Sequence, residues 1–256
     1  MLRVLPPGFF DRDAQVVACD LLGKLVRHRV EGLWRQVRLI EVEAYYLQDR
    51  ASHASLGYTE KRRALFMPPG TLYLYYARGG DSLNVSCRGA GNAVLIKAGQ
   101  PWPLPPETAA ERHGLEAMRD SNPLPTGEPR PVERLCSGQT LLCRAMGIKV
   151  PDWNGRALPQ ADLQFADARL AAEPVLRTQR LGIPVGRDGH LPYRFVLASA
   201  ARLTTRSPLG RGREEGRDYV RLEPPGPGAS PTRHWQRLLR QTEALEPTIG
   251  RTFATE

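Results

Sequence analysis

The sequence predicts a mixed α/β fold, and three observations carry that reading. From Leu33 to Tyr45 apolar residues recur with no Gly or Pro between them, which reads as one long β-strand. Ahead of it, Asp11-Arg12-Asp13 precedes a helical apolar stripe made of Ala14, Val17, Ala18, Leu21 and Leu22. Beyond it, short apolar runs bounded by Gly and Pro turns alternate with longer segments of helical character. A chain of 256 residues can bury the core of one large domain or of two small ones.

Taken in order, the first helix stops at Gly23, a natural C-terminal position for glycine. Residues 25–30 and 33–45 then form a hairpin around Glu31-Gly32. Residues 47–64 are polar and irregular, a long loop of the kind that carries function. Its Lys61, Arg62 and Arg63 suit phosphate contacts or a solvated basic turn equally well. A turn at 66–71 leads to a strand at 72–76, and further strands are expected at 83–87 and 93–98. Helices follow at 107–119, weakened by Gly114, and at 133–146, closed by Gly147, with a Pro/Gly linker at 121–131 between them. Short strands are expected around Leu163 and Phe165, at 174–176 and at 193–197, with a turn at 178–183. Residues 202–221 are Arg-rich and 223–231 read as a flexible or extended linker. Thr232 then caps an amphipathic helix carrying Trp235, Leu238, Leu239 and Leu245. The boundary falls near residue 200, with a main domain at 1–200 and a basic, partly flexible extension at 201–256.

Composition narrows the function classes. Thirty-six Lys and Arg against 27 Asp and Glu give a net charge of +9, which suits a polyanionic partner. The first ten residues are too short and too Pro-broken for a signal peptide. No apolar run approaches the roughly 18 residues of a membrane span, so a bacterial cytoplasmic protein with no membrane association is expected. Cysteines 19, 87, 136 and 143 form no Cys-x-x-Cys pair and none lies at zinc spacing with a histidine, so the expectation is reduced thiols and no metal.

The chemistry-bearing stretch is Glu41-Val42-Glu43-Ala44-Tyr45-Tyr46, with His53 ten positions after Glu43. A period of two puts Glu41, Glu43 and Tyr45 on one side of the strand and Ile40, Val42 and Ala44 on the other. Taken alone, such a Glu-x-Glu is more often a solvated face than a site. On the next strand Tyr73 and Tyr75 share a face, and Tyr76 lies on the other with Leu72 and Leu74. These tyrosines fill a core or line a cleft, and a polar cleft better satisfies their hydroxyls. Lys97 ends an apolar run, where a lysine ordinarily reaches out to solvent.

Several blocks in fixed order resemble the alkyladenine (3-methyladenine) DNA glycosylases of the mammalian methylpurine type. They are Phe9-Phe10-Asp11-Arg12, the run 21–26, Glu41-Val42-Glu43-Ala44-Tyr45, the run 66–75, the run 114–119, Leu135-Cys136-Ser137-Gly138, Arg180-Leu181-Gly182-Ile183 and Arg194-Phe195, within roughly residues 8–200. The resemblance implies a single domain around a curved, mostly antiparallel sheet flanked by helices, without a helix-hairpin-helix. It implies hydrolysis of the N-glycosidic bond of alkylated or deaminated purines in double-stranded DNA by a monomer that uses no cofactor and no metal. Carried over residue by residue, it makes Glu43 the general base and Tyr45, His53 and Tyr75 the base-sandwiching residues. Asn84 becomes the pocket-floor residue that rejects guanine.

This chain departs from the family pattern at four places. Lys97 stands where an arginine usually helps to hold the water, keeping the charge but losing the bidentate fork. The segment between Tyr75 and Asn84 is one residue shorter, so the intercalating tyrosine's place falls on Arg78. Either Arg78 or Tyr76 fills the gap left by a flipped base, with Arg78 preferred. Arg62 replaces an asparagine, and the Arg-rich tail has no counterpart in the pattern. Two rival readings stay open at this level: a lesion-binding protein without catalysis, and a hydrolase of free nucleosides.

Overall fold

The computed structural model describes residues 2–77, 79–226 and 228–243. The elements run β1 (Arg3–Val4), α1 (Ala14–Leu21), β2 (Leu25–Val30), β3 (Leu33–Tyr45), β4 (Leu72–Ala77), β5 (Gly80–Ser86) and β6 (Ala93–Pro101). They continue with α2 (Ala109–Asp120), α3 (Gln139–Met146), α4 (Val150–Trp153), β7 (Leu163–Asp167), β8 (Val175–Thr178), β9 (Arg194–Leu197), β10 (Tyr219–Leu222) and α5 (Pro231–Glu243). All strands belong to one antiparallel sheet in the order β1-β7-β2-β3-β6-β5-β4, with β9, β8 and β10 branching from β3. The mixed α/β, mostly antiparallel class expected from the sequence is the one observed.

β3 is long enough to serve two neighbours on one side. Its residues 33–38 pair with β2 and residues 41–43 pair with β9, while the other side pairs with β6. The β2–β3 turn puts both Glu31 (φ 51°) and Gly32 (φ 82°) in the left-handed region, as a two-residue hairpin of this hand requires. Against β6 the register slips twice, since Val42 faces Ile96, Glu41 faces Ala98 and Leu39 faces Gly99. Lys97 is therefore the extra residue of a bulge on β6, and Ile40 of a compensating one on β3. Bulges re-aim side chains locally, and this pair sits beside Glu43.

The sheet is packed differently on its two faces. Ile40, Val42 and Ala44 join Val17, Ala18 and Leu21 of α1 in the main core. Asp13 caps α1 by accepting from the Gln15 and Val16 amides, and the Tyr46 hydroxyl donates to the same carboxylate. On the Glu43 side a smaller cluster of Ala54, Ala64, Leu65, Tyr73 and Ala93 supports the long loop. That loop contains two short 3-10 turns, at His53–Leu56 and Glu60–Phe66.

Three local expectations are corrected. The helix expected at 133–146 begins at Gln139, because a 3-10 turn at Val132–Arg134 ends in backbone committed elsewhere. There the Cys136 carbonyl accepts from the Gly99 amide and the Ser137 hydroxyl donates to the Leu203 carbonyl. Thr232 is not the cap of α5, which starts one residue earlier; its hydroxyl instead accepts from Arg12. Third, β1, β10 and α4 carry too few residues for a periodic signal, and the sequence reading lacked them. Leu245, expected on the last helix, lies outside the described residues.

Candidate active site

Cross-strand register builds the site floor. Glu43 faces Leu95, Leu95 faces Asn84, and Asn84 faces Tyr73. Directly opposed residues point to the same side of a sheet, so these four form one row across β3, β6, β5 and β4. Tyr45 and Tyr75 lie two positions along their strands and extend the same surface. Above it opens a cleft of about 580 Å³, lined by Tyr45, His53, Tyr73, Tyr75, Tyr76, Asn84 and Lys97. The stretch from Ser137 to Leu141 and the Leu181–Pro184 loop complete its walls. The structure thus brings together all the expected site residues that it describes. Arg78, the preferred wedge candidate, lies outside the described residues. Tyr76, the other candidate, is 70% exposed at the end of β4.

Glu43 is fully buried, which removes the solvated-face reading of Glu-x-Glu. Its Oε2 accepts from the Tyr45 hydroxyl at 2.7 Å, and its Oε1 lies 3.2 Å from the Lys97 ammonium and 3.5 Å from the Leu181 amide. Burial works against the charged carboxylate, but the Lys97 ammonium and the Tyr45 hydroxyl outweigh it and hold its pKa below the ordinary range. Tyr45 moves the other way, pushed well up by burial and by the neighbouring Glu43 charge. Lys97 does not reach for solvent. It is only 9% exposed, with its ammonium held against the Glu43 carboxylate.

Glu41 has a different neighbourhood on the same strand. Its carboxylate accepts from Arg194 Nε at 2.6 Å and from the Thr205 amide and hydroxyl. All its partners are protein groups that tie β3 to β9 and to the segment after Leu203, which is a structural arrangement.

His53 lies with its ring centroid 4.4 Å from that of Tyr75, and its Nδ1 is 2.9 Å from the Tyr73 hydroxyl. Burial first, then the Arg62 and Arg187 charges, lower its pKa and keep the imidazole neutral at pH 7. Tyr73 itself, stacked on Tyr75 at 5.5 Å, is pushed up to about 12, chiefly by burial. The Asn84 amide nitrogen donates to the Tyr73 carbonyl at 3.1 Å, which tethers its side chain to the floor. Arg62 is turned into the protein's own loop, donating to the Leu56 and Gly57 carbonyls.

Some contributors escaped the sequence reading. Tyr73 was read as a tyrosine better suited to a cleft than a core, but was given no part in the site. Arg180 was seen only as part of a turn, yet its guanidinium lies 4.6 Å over the Tyr45 ring and pairs bidentately with the buried Asp49. No local pattern links positions 45, 49 and 180; only the Arg180-Leu181-Gly182-Ile183 block pointed to this loop. Among the described residues no cluster of three His, Cys, Asp or Glu side chains could hold a metal ion. The four cysteines are free and buried, and burial raises all of their pKa values. No helix among the described residues is long and apolar enough to cross a membrane.

Comparison with known proteins agrees with this geometry. Residues 8–201 match the family model described as methylpurine-DNA glycosylase. A relative from Pseudomonas savastanoi pv. phaseolicola is 54% identical over 223 residues, covering 87% of this chain and 99% of its own. One from Pseudomonas aeruginosa is 55% identical, with 85% and 90% covered, and one from Koribacter versatilis is 33% identical, with 78% and 92% covered. All three carry the provisional name 3-methyladenine DNA glycosylase. A fold built on β3, a buried carboxylate beneath a tyrosine-lined cleft and a match over most of the chain lead to one assignment: the chain belongs to the methylpurine-DNA glycosylase family.

Proposed function

We propose that this protein is a monofunctional DNA glycosylase that releases alkylated purines, such as 3-methyladenine and 7-methylguanine, from duplex DNA by base flipping. Deaminated purines of similar shape belong to the same substrate class. The reading rests above all on Glu43, a fully buried carboxylate held ionised by Lys97 and Tyr45, two residues that line the aromatic cleft above it. A nucleotide inside a duplex exposes no path to its C1′ carbon, so it must leave the stack to reach such a floor.

The step balances simply. The bond from C1′ to the purine nitrogen breaks with its electron pair leaving on the base, and a water oxygen bonds to C1′. Glu43 orients that water, offsets the positive charge developing on the sugar, and accepts the water's proton as the new bond forms. A depressed pKa suits this role, since the group is charged while positive charge builds on the sugar and takes the proton only when the attacking water becomes strongly acidic. Lys97 serves as counter-charge to Glu43, not as an amine nucleophile, so the product is an abasic site in an unbroken strand.

Tyr45 and Tyr75 supply the stacking faces. Arg180 covers one face of the Tyr45 ring and leaves the cleft-side face for the base. An N-methylated purine is cationic, and an electron-rich ring attracts it by roughly 0.5–2 kcal/mol. If the Tyr73 hydroxyl donates to His53 Nδ1, the neutral imidazole presents Nε2–H as a donor to the base edge. Asn84, tethered to the Tyr73 carbonyl, is in this reading the group that clashes with the exocyclic amine of guanine and so disfavours the normal base. The protein acts as a monomer on DNA in the bacterial cytoplasm and needs no cofactor.

The decisive variant is Glu43→Gln. It keeps the shape of the cleft and should retain duplex affinity while losing at least about 100-fold in single-turnover release of 3-methyladenine. Release at the wild-type rate by this variant would refute the assignment.

A further inference from the structure

Every large apolar side chain that protrudes from a folded protein is uncovered surface, and one alone is ordinary. Val185 differs in its setting. It is 105% exposed, beyond any other large apolar residue among the described ones, and it caps a tight turn. The Arg187 amide donates back to the Pro184 carbonyl, and Gly186 takes φ 79°, the left-handed conformation that the third position of a type II turn demands.

This turn is pinned on every side. Arg187 Nε donates to the Arg50 carbonyl at 2.8 Å. Arg50 in turn grips Asp188 through its guanidinium and its amide. The buried Arg180 donates to the Asp188 carbonyl. At the base of the loop the Leu181 amide points to Glu43. The apex is thus a fixed apolar tip with two arginines at its foot, joined through one short segment to the buried carboxylate. Ile183 and Pro184 form part of the cleft wall, and Tyr76 protrudes from another part of its rim.

A rigid apolar tip flanked by cations matches the chemistry of a kinked duplex. Arginines meet phosphates, while an apolar side chain seats against sugars and base edges exposed where stacking is broken. We infer that Val185 is a second DNA-inserting contact, separate from the β4–β5 turn, which seats against the duplex beside the extruded nucleotide. The inference rests on the DNA-glycosylase reading given above. It adds that the loop that also touches Glu43 carries an apolar tip onto the duplex.

The buried native cysteines make a direct test available, because a Val185→Cys variant offers one accessible thiol among the described residues. An environment-sensitive fluorophore on that thiol should shift to the blue when a dimethyl sulfate-treated duplex saturates the protein. Val185→Asp should weaken binding of the same duplex about tenfold or more with an unchanged Tm, and Val185→Leu should stay within twofold of wild type. A silent label on protein that anisotropy shows to be bound overturns the inference, and so does Val185→Asp binding with wild-type affinity. Failure of the wild-type protein to bind duplex at all would instead overturn the functional reading beneath it.

Discussion

At the scale of single residues, the pairing of Glu43 with Lys97 sets the pH behaviour of the site. Burial alone would raise the carboxyl's pKa; the ammonium at 3.2 Å and the Tyr45 hydroxyl reverse the sign. The folded pKa lies below the unfolded one, so Glu43's stabilising contribution is complete above the ordinary carboxylate pKa. It is lost as pH falls through the depressed folded value. Activity should follow the same ionisation, with the acidic limb of kcat/KM below the usual carboxylate range. Lys97→Met removes the favourable charge but leaves the burial, so the limb should move toward neutrality and the maximum rate should fall. A pH–rate profile of the two proteins checks this. An acidic limb unmoved by the substitution would show that another group controls it. Arginine at this position, the family's usual choice, would restore the charge but must fit a bulge shaped around an unbranched ammonium.

At the scale of elements, β3 was legible because apolar residues recur over thirteen positions with no Gly or Pro to break the strand. The bulges were not legible, since a register slip depends on the partner strand, and with them went the burial of Lys97. The helix expected to begin at residue 133 shows the converse. Its apolar spacing is acceptable, yet tertiary hydrogen bonds of Cys136 and Ser137 hold the backbone out of helix until Gly138. Gly114 was read as a weak point of α2. Its Cβ, if present, would lie 2.3 Å from the Trp34 carbonyl oxygen, so glycine is what lets α2 lie against β3. Two effects then compete in Gly114→Ala. Helix propensity favours alanine by about 1 kcal/mol, while driving a helix off a strand costs about 1–3 kcal/mol. The obstacle is backbone and cannot rotate away, so the clash should win. Denaturant melts should show net destabilisation with the m-value preserved; a more stable variant would mean that α2 has room to shift.

At the scale of the whole molecule, the family's signature ends at residue 201, but the sheet does not. Beyond it β10 adds to β8, and α5 packs against α1. The sequence reading of an Arg-rich tail could see charge but not partners. Arg213 and Arg217 pair with Asp218, Arg217 also with Glu214, and Arg221 with Glu223, so much of that charge is balanced within the segment itself. The anchor is Arg177 of β8, which is wholly buried and donates to Thr242 Oγ1 at 2.7 Å and to Gln15 Oε1 at 3.0 Å, joining α5, β8 and α1. This junction lies on the α1 side of β3, opposite the face that carries Glu43. A buried guanidinium that loses its acceptors on α5 is costly, so the helix and the arginine should matter to stability together and to catalysis hardly at all. Ending the chain at residue 230 should therefore lower Tm by several degrees. Arg177→Met, which removes the buried charge, should recover part of that loss in the shortened chain, although it destabilises the full-length protein. Single-turnover release measured well below either Tm should stay within about twofold of the full-length value in both backgrounds, as expected of a group outside the reacting cleft. A shortened chain that melts normally yet releases base tenfold more slowly would instead mean that α5 reaches the DNA.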